Sequence, residues 1–214
     1  SNATSVNSGV ITVTSTGATA QTITVTTNSD NALNLDGTGD IVTIADNNAL
    51  DLTTNYTIEA WIKPSAFSWL GGIVSKYHSN SSNGYILRLN GSGDYSGVTF
   101  DEMSTSNGVL SLNKWQHIAA VNNNGTRKIY INGVEQTITG TPLTAVANTD
   151  PVIIGQDFSA GGSRFFNGSI DEVRIWNTAR SASEITSNMN SLLSGTETGL
   201  VAYYNFNQGV INGT

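Results

Sequence analysis

Short runs of alternating apolar and polar residues, each stopped by a turn rich in Gly, Asn and Asp, recur from Ala32 almost to the end of the chain. YTIEAWIKP (56–64) shows the pattern. Tyr56, Ile58, Ala60 and Ile62 fall on one face, and Thr57, Glu59, Trp61 and Lys63 on the other. A period of two belongs to a half-buried strand. Pro64 is expected to end this one, because proline has no N–H to give a ladder. Strands are likewise expected in ALNLDGTGDIVTI (32–44), GIVSKY (72–77), YILRLN (85–90), GVTFDE (97–102), KWQHIAAVNN (114–123), RKIYING (127–133), PVIIGQ (151–156) and GLVAYYNF (199–206). Many short strands at such spacing describe a sandwich or a barrel.

Composition agrees and excludes several functions. A chain of 214 residues with 12% charged side chains suits one large all-β domain better than two small ones. The net charge is −7 with nine Lys plus Arg, which argues against nucleic acid, because phosphate neutralisation needs clustered cations. No apolar stretch approaches the ~18 residues of a membrane span. Without cysteine there is neither a disulfide frame nor a thiolate metal site. Ser1-Asn2-Ala3 looks like the scar of a cleaved expression tag. Residues 4–30, with the alternating runs VITVT (10–14) and TITVT (23–27), read as a β-rich linker or the end of an upstream module. The main domain is expected over 31–214, cut short at its C-terminus within a longer chain.

One run carries more charge than its surroundings. In SIDEVRIW (169–176), Asp171, Val173 and Ile175 share a face by parity, while Glu172, Arg174 and Trp176 share the other. Glu172 and Arg174 are expected to pair on an outward surface. Asp171 then has the parity of the core, where a carboxylate needs a cation or several donors. Ser181 and Glu184 form a capping box, which predicts a short helix over 182–192 burying Ile185, Met189 and Leu192 or Leu193.

LNLDGTGDIVTI, YTIEAWIKP, KWQHIAAV, KIYINGVE and FNGSIDEVRIWNTARSASEI occur in the order seen in laminin G-like jelly-roll domains of the concanavalin A-like lectin/glucanase superfamily. The chain resembles them over roughly residues 32–206. The resemblance implies an all-β jelly-roll sandwich of two antiparallel sheets, one concave and one convex. The superfamily includes lectins, adhesion modules, glycosidases and lyases, so function rests on residues. The E-x-D-x-x-E run of laminarinase-type members, which supplies nucleophile and acid on one strand, is absent. Two residues after Glu59, where that run has its Asp, stands Trp61, and Asp101 and Glu102 point to opposite faces, so no catalytic residue is expected. A solvated patch is the plainer reading of Glu59 and Asp101 should they meet across the concave sheet. His78 and His117 have no second ligand at metal spacing.

If the chain holds a cofactor, calcium is the most credible one, because its sites need several oxygens at a turn that wraps an ion; otherwise none is expected. The DGTGD turn supplies Asp36 and Asp40. The resemblance implies a structural calcium where the first and last strands adjoin, which would bring Asp171 to the same site. The alternative is that the two turn acids make Asx-turn bonds and Asp171 accepts backbone N–H groups. Sugar recognition uses exposed aromatic faces with hydrogen-bonding groups beside them. Trp61, Trp69, Tyr77, Arg88 and Tyr95 are the expected ligand contacts, with Trp61 placed on the concave face beside Glu59 and Arg88. Trp115 and Trp176 are expected to pack structurally. The function expected is a non-catalytic carbohydrate-binding or adhesion module, lectin-like, of a larger secreted or bacterial cell-surface protein. Its partner would be a glycan rather than nucleic acid or membrane, and it would act as a monomer. A purely structural spacer is the alternative, ahead of a glycosidase or lyase.

Overall fold

The computed structural model describes residues 9–13, 21–25, 31–79, 82–157 and 164–207. The tag-like Ser1–Ala3 and the C-terminal end beyond 207 fall outside these, as does the side chain of His78. The chain forms two units, residues 1–32 with 206–214, and residues 33–205. In the first, β1 (Gly9–Val13) and β2 (Gln21–Val25) pair as an antiparallel hairpin with Ile11 opposite Ile23.

The second unit opens with β3 (Leu33–Asp36), β4 (Val42–Ile44), a 3-10 turn (Asn48–Leu50) and the long β5 (Asn55–Ala66). It continues through β6 (Gly72–Ser79), β7 (Ser82–Leu89), β8 (Val98–Phe100), β9 (Met103–Thr105), β10 (Gln116–Asn123) and β11 (Thr126–Ile131). Then come β12 (Val134–Glu135), β13 (Ile138–Gly140), β14 (Val152–Ile154), β15 (Asn167–Trp176), α1 (Ala182–Asn188) and β16 (Leu200–Tyr204). One sheet has the order β12-β11-β10-β5-β15-β16, with β3 on the first half of β15. The other has the order β13-β9-β8-β7-β6-β14-β4. Among the described residues all pairings are antiparallel, and this second unit is a jelly-roll sandwich.

The alternation of YTIEAWIKP sets the core. Tyr56, Ile58, Ala60 and Ile62 turn inward and are fully buried. Tyr56 meets Tyr85 and Phe100 of the facing sheet at ring-centroid distances of 5.8 and 5.9 Å. Its hydroxyl donates to Asp101 Oδ2 at 2.5 Å, and Arg127 Nε donates to the same oxygen at 2.8 Å. Asp101 Oδ1 accepts the Ile86 amide at 3.0 Å. The buried carboxylate thus staples one sheet to the other with its partners satisfied, which a buried charge requires.

Several expectations are corrected by the register. Pro64 does not end β5, which continues to Ala66. Pro64 sits opposite Gly168 beside a register shift, where the missing N–H disturbs no regular ladder. Gly168 has φ +141°, and a Cβ there would strike the Lys63 carbonyl, so glycine is required. The two strands expected in 32–44 are present, but β3 joins one sheet and β4 the other. Tight pairs such as β8–β9 and the short β12 and β13 give too few residues for alternation to show.

The largest correction concerns Asp171. Between Asp171 and Arg174 β15 advances three residues while β5 advances two, from Trp61 to Glu59. Glu172 takes φ +51° at this irregularity. One residue is therefore absorbed without a partner, as in a β-bulge. Ile170, opposite Ile62, and Ile175, opposite Ile58, both face the core, and Val173 is fully buried. Asp171, opposite Trp61, faces away from the sandwich interior. Strict parity fails there.

Candidate functional site

The outer faces of the two sheets carry different chemistry. On the sheet containing β5, α1 lies over the strands, with Ile185 packed on Ala119, Val121 and Tyr130. Helix formation follows from the capping box: Ser181 Oγ accepts from Glu184 N at 3.3 Å, and Ser181 N donates to Glu184 Oε2 at 2.8 Å. The helix stops at Asn188 rather than 192. Its terminal carbonyls are taken from below. Arg174 donates to Asn188 O at 2.9 Å and Ser191 O at 2.7 Å, and Trp61 Nε1 donates to Met189 O at 2.8 Å. Chain that would have continued the helix is turned outward instead, leaving Leu192 72% exposed.

Arg174 and Glu172 do pair, at 2.7 Å, but beneath this roof rather than on the surface. Tyr203 donates to Glu172 Oε1 at 2.6 Å, and burial followed by that carboxylate pushes its phenol up to about 12. Glu59, 0% exposed, lies 3.3 Å from Arg180 and 3.2 Å from His117 Nε2. The Arg180 guanidinium stacks 3.8 Å from the Trp176 ring centroid. Trp176 is buried, as expected, whereas Trp115 is 41% exposed. Trp61 and Glu59 belong to this roofed face and are not brought together with Arg88. Nor do Glu59 and Asp101 meet: one lies under the helix, the other between the sheets.

The second sheet carries Arg88 outward on β7, between the inward Leu87 and Leu89. Its NH1 donates to Asp157 Oδ2 at 2.7 Å, and its NH2 pairs with Glu102. Arg164 NH1 donates to the same Asp157 oxygen at 2.9 Å. The Arg164 guanidinium lies 4.8 Å from the Trp69 ring centroid, within cation–π range. A ladder results: Trp69, Arg164, Asp157, Arg88, Glu102. Its centre is buried, with Asp157 0% exposed, while Trp69 is 47% exposed and the Glu102 side chain 40%. Tyr77 joins it electrostatically; burial, then Glu102, raises its phenol. Gly91 abuts Leu70 and Trp69, so the loop 91–97 that carries Tyr95 begins beside the indole.

The ladder thus places Trp69 and Arg88 on one sheet face with Tyr77 in its field, and Tyr95 sits on the adjoining loop. Asp157, Arg164 and Glu102 were missed. Arg88, an outward guanidinium within an apolar strand, signals that carboxylate partners are needed but not which residues supply them.

At the DGTGD turn, Asp36 Oδ1 accepts Thr38 N at 2.7 Å and Asp40 Oδ2 accepts Asp36 N at 3.2 Å. Both acids line an open depression of about 280 Å³ with Asn34, Ser65 and Ser169. The bond from Thr38 N to Asp36 is the Asx-turn bond of the alternative reading. Asp171 does not join the two acids. Asn167, not Asp171, lies opposite Asp36, and Asp171 Oδ1 accepts Glu172 N at 2.7 Å. Among the described residues no three of His, Cys, Asp and Glu gather as a metal group.

The family model for the concanavalin A-like lectin/glucanases superfamily matches residues 36–186. No curated protein matches the chain. Among solved structures, the chain is similar to a candidate carbohydrate-binding protein from Bacteroides ovatus, with 21% identity and TM-score 0.65 over 88% of this chain. It spans 59% of that protein's length. Domain 4 of AbnA, a GH43 extracellular arabinanase from Geobacillus stearothermophilus in complex with arabinotriose, is 24% identical with TM-score 0.54. That match covers 73% of this chain and 75% of the other. The CBM40 of a Ruminococcus gnavus IT-sialidase, bound to α2,3 sialyllactose, is 12% identical with TM-score 0.54, covering 73% of this chain and 95% of its own. At these identities the likeness is one of fold.

Proposed function

The chain belongs to the concanavalin A-like lectin/glucanase superfamily, and from that premise we propose that it is a non-catalytic carbohydrate-binding module of a larger extracellular protein. The carrying observation is the ladder from Trp69 to Glu102. Its exposed indole offers an apolar face for the C–H side of a sugar ring. Arg164 and Glu102, at opposite ends, offer donors and acceptors to hydroxyls. The pairing of each guanidinium with a carboxylate holds these groups in place before ligand arrives, which limits the ordering cost of binding. The fold neighbours with arabinotriose and sialyllactose support the class of ligand without naming it.

A non-enzymatic role is supported by the state of the acids. Glu59 is enclosed by Arg174, Arg180 and the His117 ring, Asp101 is committed to Tyr56 and Arg127, and Asp157 is buried between two arginines. None is a free carboxyl facing a cleft, as glycoside hydrolysis needs. Calcium held by Asp36 and Asp40 is part of this reading, with a rise in melting temperature of about 5–10 °C in saturating calcium over chelator. Among the described residues no helix is long and apolar enough to cross a membrane. The module is proposed to act as a monomer.

A glycan array on the purified chain tests the reading. Binding should be found and should weaken in Trp69→Ala, Arg164→Ala and Glu102→Gln. An array without any bound glycan would leave a structural spacer as the better account.

A further inference from the structure

Lys76 is a lysine on the inward parity of Val74 and is 1% exposed. Burying an ammonium is costly unless oxygens replace its water. Here five do. Asp46 Oδ1 lies 2.7 Å from Nζ, Asp51 Oδ1 3.3 Å, Asn148 O 2.9 Å, Asn148 Oδ1 3.2 Å and Asp150 O 2.7 Å. An ammonium has three protons to donate. Five oxygens around it therefore exceed what hydrogen bonding alone calls for, and they surround Nζ as ligands surround an ion. The donor set is two carboxylates, one side-chain carbonyl and two backbone carbonyls, the mixture that calcium sites use.

We propose that Lys76 is a tethered cation occupying a calcium-type oxygen cage, which organises this end of the sandwich without a metal. The oxygens come from two segments distant in sequence. Residues 46–51 connect β4 to β5, and residues 148–150 lead into β14. Secondary bonds tie the cage together: Asn148 N donates to Asp51 Oδ1 at 3.3 Å and Asp150 N to Asn148 Oδ1 at 3.0 Å. Because the chain runs on from β14 to Gln156 and Asp157, the ammonium also anchors the segment that delivers Asp157 to Arg88. This cage is separate from the Asp36–Asp40 turn, and its occupant is covalently part of the chain.

Removing the tether while keeping the oxygens should turn the cage into a site for free calcium, because two carboxylates are then left without their cation. The test compares melting of wild type, Lys76→Gly and Lys76→Met in calcium chloride and in chelator. Lys76→Gly should melt roughly 5–15 °C below wild type in chelator. In millimolar calcium it should recover most of that loss, beyond whatever shift wild type shows from the Asp36–Asp40 turn. Adding Asp46→Asn to Lys76→Gly should abolish the extra calcium response. Lys76→Met, which fills the space without charge, should be destabilised and gain no more from calcium than wild type does. If Lys76→Gly does not stay folded, refolding from urea is read instead, and a yield that rises with calcium supports the cage. The proposal is overturned if Lys76→Gly responds to calcium no more than wild type by either readout. It is equally overturned if the response survives Asp46→Asn, or if Lys76→Met is as stable as wild type.

Discussion

The two outer faces of the sandwich each hold a row of charged and aromatic residues, and they use them oppositely. Under α1, Glu59, Glu172, Arg174, Arg180 and His117 are 8% exposed or less, and their partners are one another and the helix carbonyls. On the other sheet the ladder starts equally buried, at Arg88 and Asp157, but runs outward to Trp69 and Glu102. The first arrangement seats a helix; the second leaves its ends exposed, as the proposed binding face requires. Charge in a strand is therefore no guide to function until its cover is known. Experiments that remove a charge from each face in turn should separate folding from binding.

The largest expected effect is at Arg174. Replacing it with Met leaves Glu172 without its cation, removes the more distant of the two guanidiniums beside Glu59, and frees the carbonyls of Asn188 and Ser191. Breaking a buried pair by removing one partner costs about 3–5 kcal/mol. That corresponds to a fall in melting temperature of roughly 6–20 °C for a chain of this size. Arg164→Ala on the other face, where the side chain is 26% exposed, should cost under about 1 kcal/mol. Similar melting losses for the two variants would break the comparison.

Next in size is the effect on binding. Trp69→Ala should weaken binding of whichever glycan the array identifies by about tenfold, or ~1.4 kcal/mol, and leave melting within about 0.5 kcal/mol of wild type. Trp61→Ala is the matched aromatic on the roofed face. It should lower stability through the lost bond to Met189 O and leave affinity unchanged. A loss of affinity in Trp61→Ala equal to that in Trp69→Ala would mean that the ligand reaches the helix side.

This division was only half legible in the sequence. Alternation in YTIEAWIKP assigned Tyr56, Ile58, Ala60 and Ile62 to the core, and the S-A-S-E box located the helix start. Where the period of two is kept, side-chain direction follows from spacing. It is lost at a bulge, and Glu172 sits at one, so Asp171 was given the wrong face. The end of the helix was hidden for another reason: Arg174 and Trp61, distant in sequence, take its last carbonyls. Arg88 could be found because it interrupts an apolar strand. Asp157 and Arg164 could not, since they flank the 158–163 stretch and acquire meaning only once β14 and β15 are in register with the sheets. Lys76 was readable in principle, as an inward lysine that needs oxygens, but nothing in GIVSKY says which ones.

A smaller effect is expected at the cap. Ser181→Ala removes the side-chain acceptor for Glu184 N and should cost about 1 kcal/mol, or roughly 2–4 °C. Because it loosens the roof without touching the ladder, glycan affinity should stay at the wild-type value. An affinity change would couple the two faces.

The smallest effect is in alkali, and it compares one phenol from each face. Tyr203 is pushed up to about 12 from the ordinary phenol value of 10.0, first by burial and then by Glu172. Tyr77 is also raised, first by burial and then by Glu102. A folded-state value above the unfolded one means that the folded chain holds its proton more tightly. The stability contributed is then complete below pH ~10 and is lost as pH rises through the folded value. For Tyr203 that window runs from about 10 to about 12. The other raised tyrosines give wild type a slope of the same sign, so the measurement is the difference between wild type and Tyr203→Phe in urea midpoints over that window. Wild type should lose stability faster than Tyr203→Phe as pH rises. Tyr77→Phe should give a difference of the same sign, since the cause on both faces is burial beside a carboxylate. If Tyr203→Phe follows the wild-type curve throughout, the phenol does not grip Glu172, and the roofed network ends at Arg174.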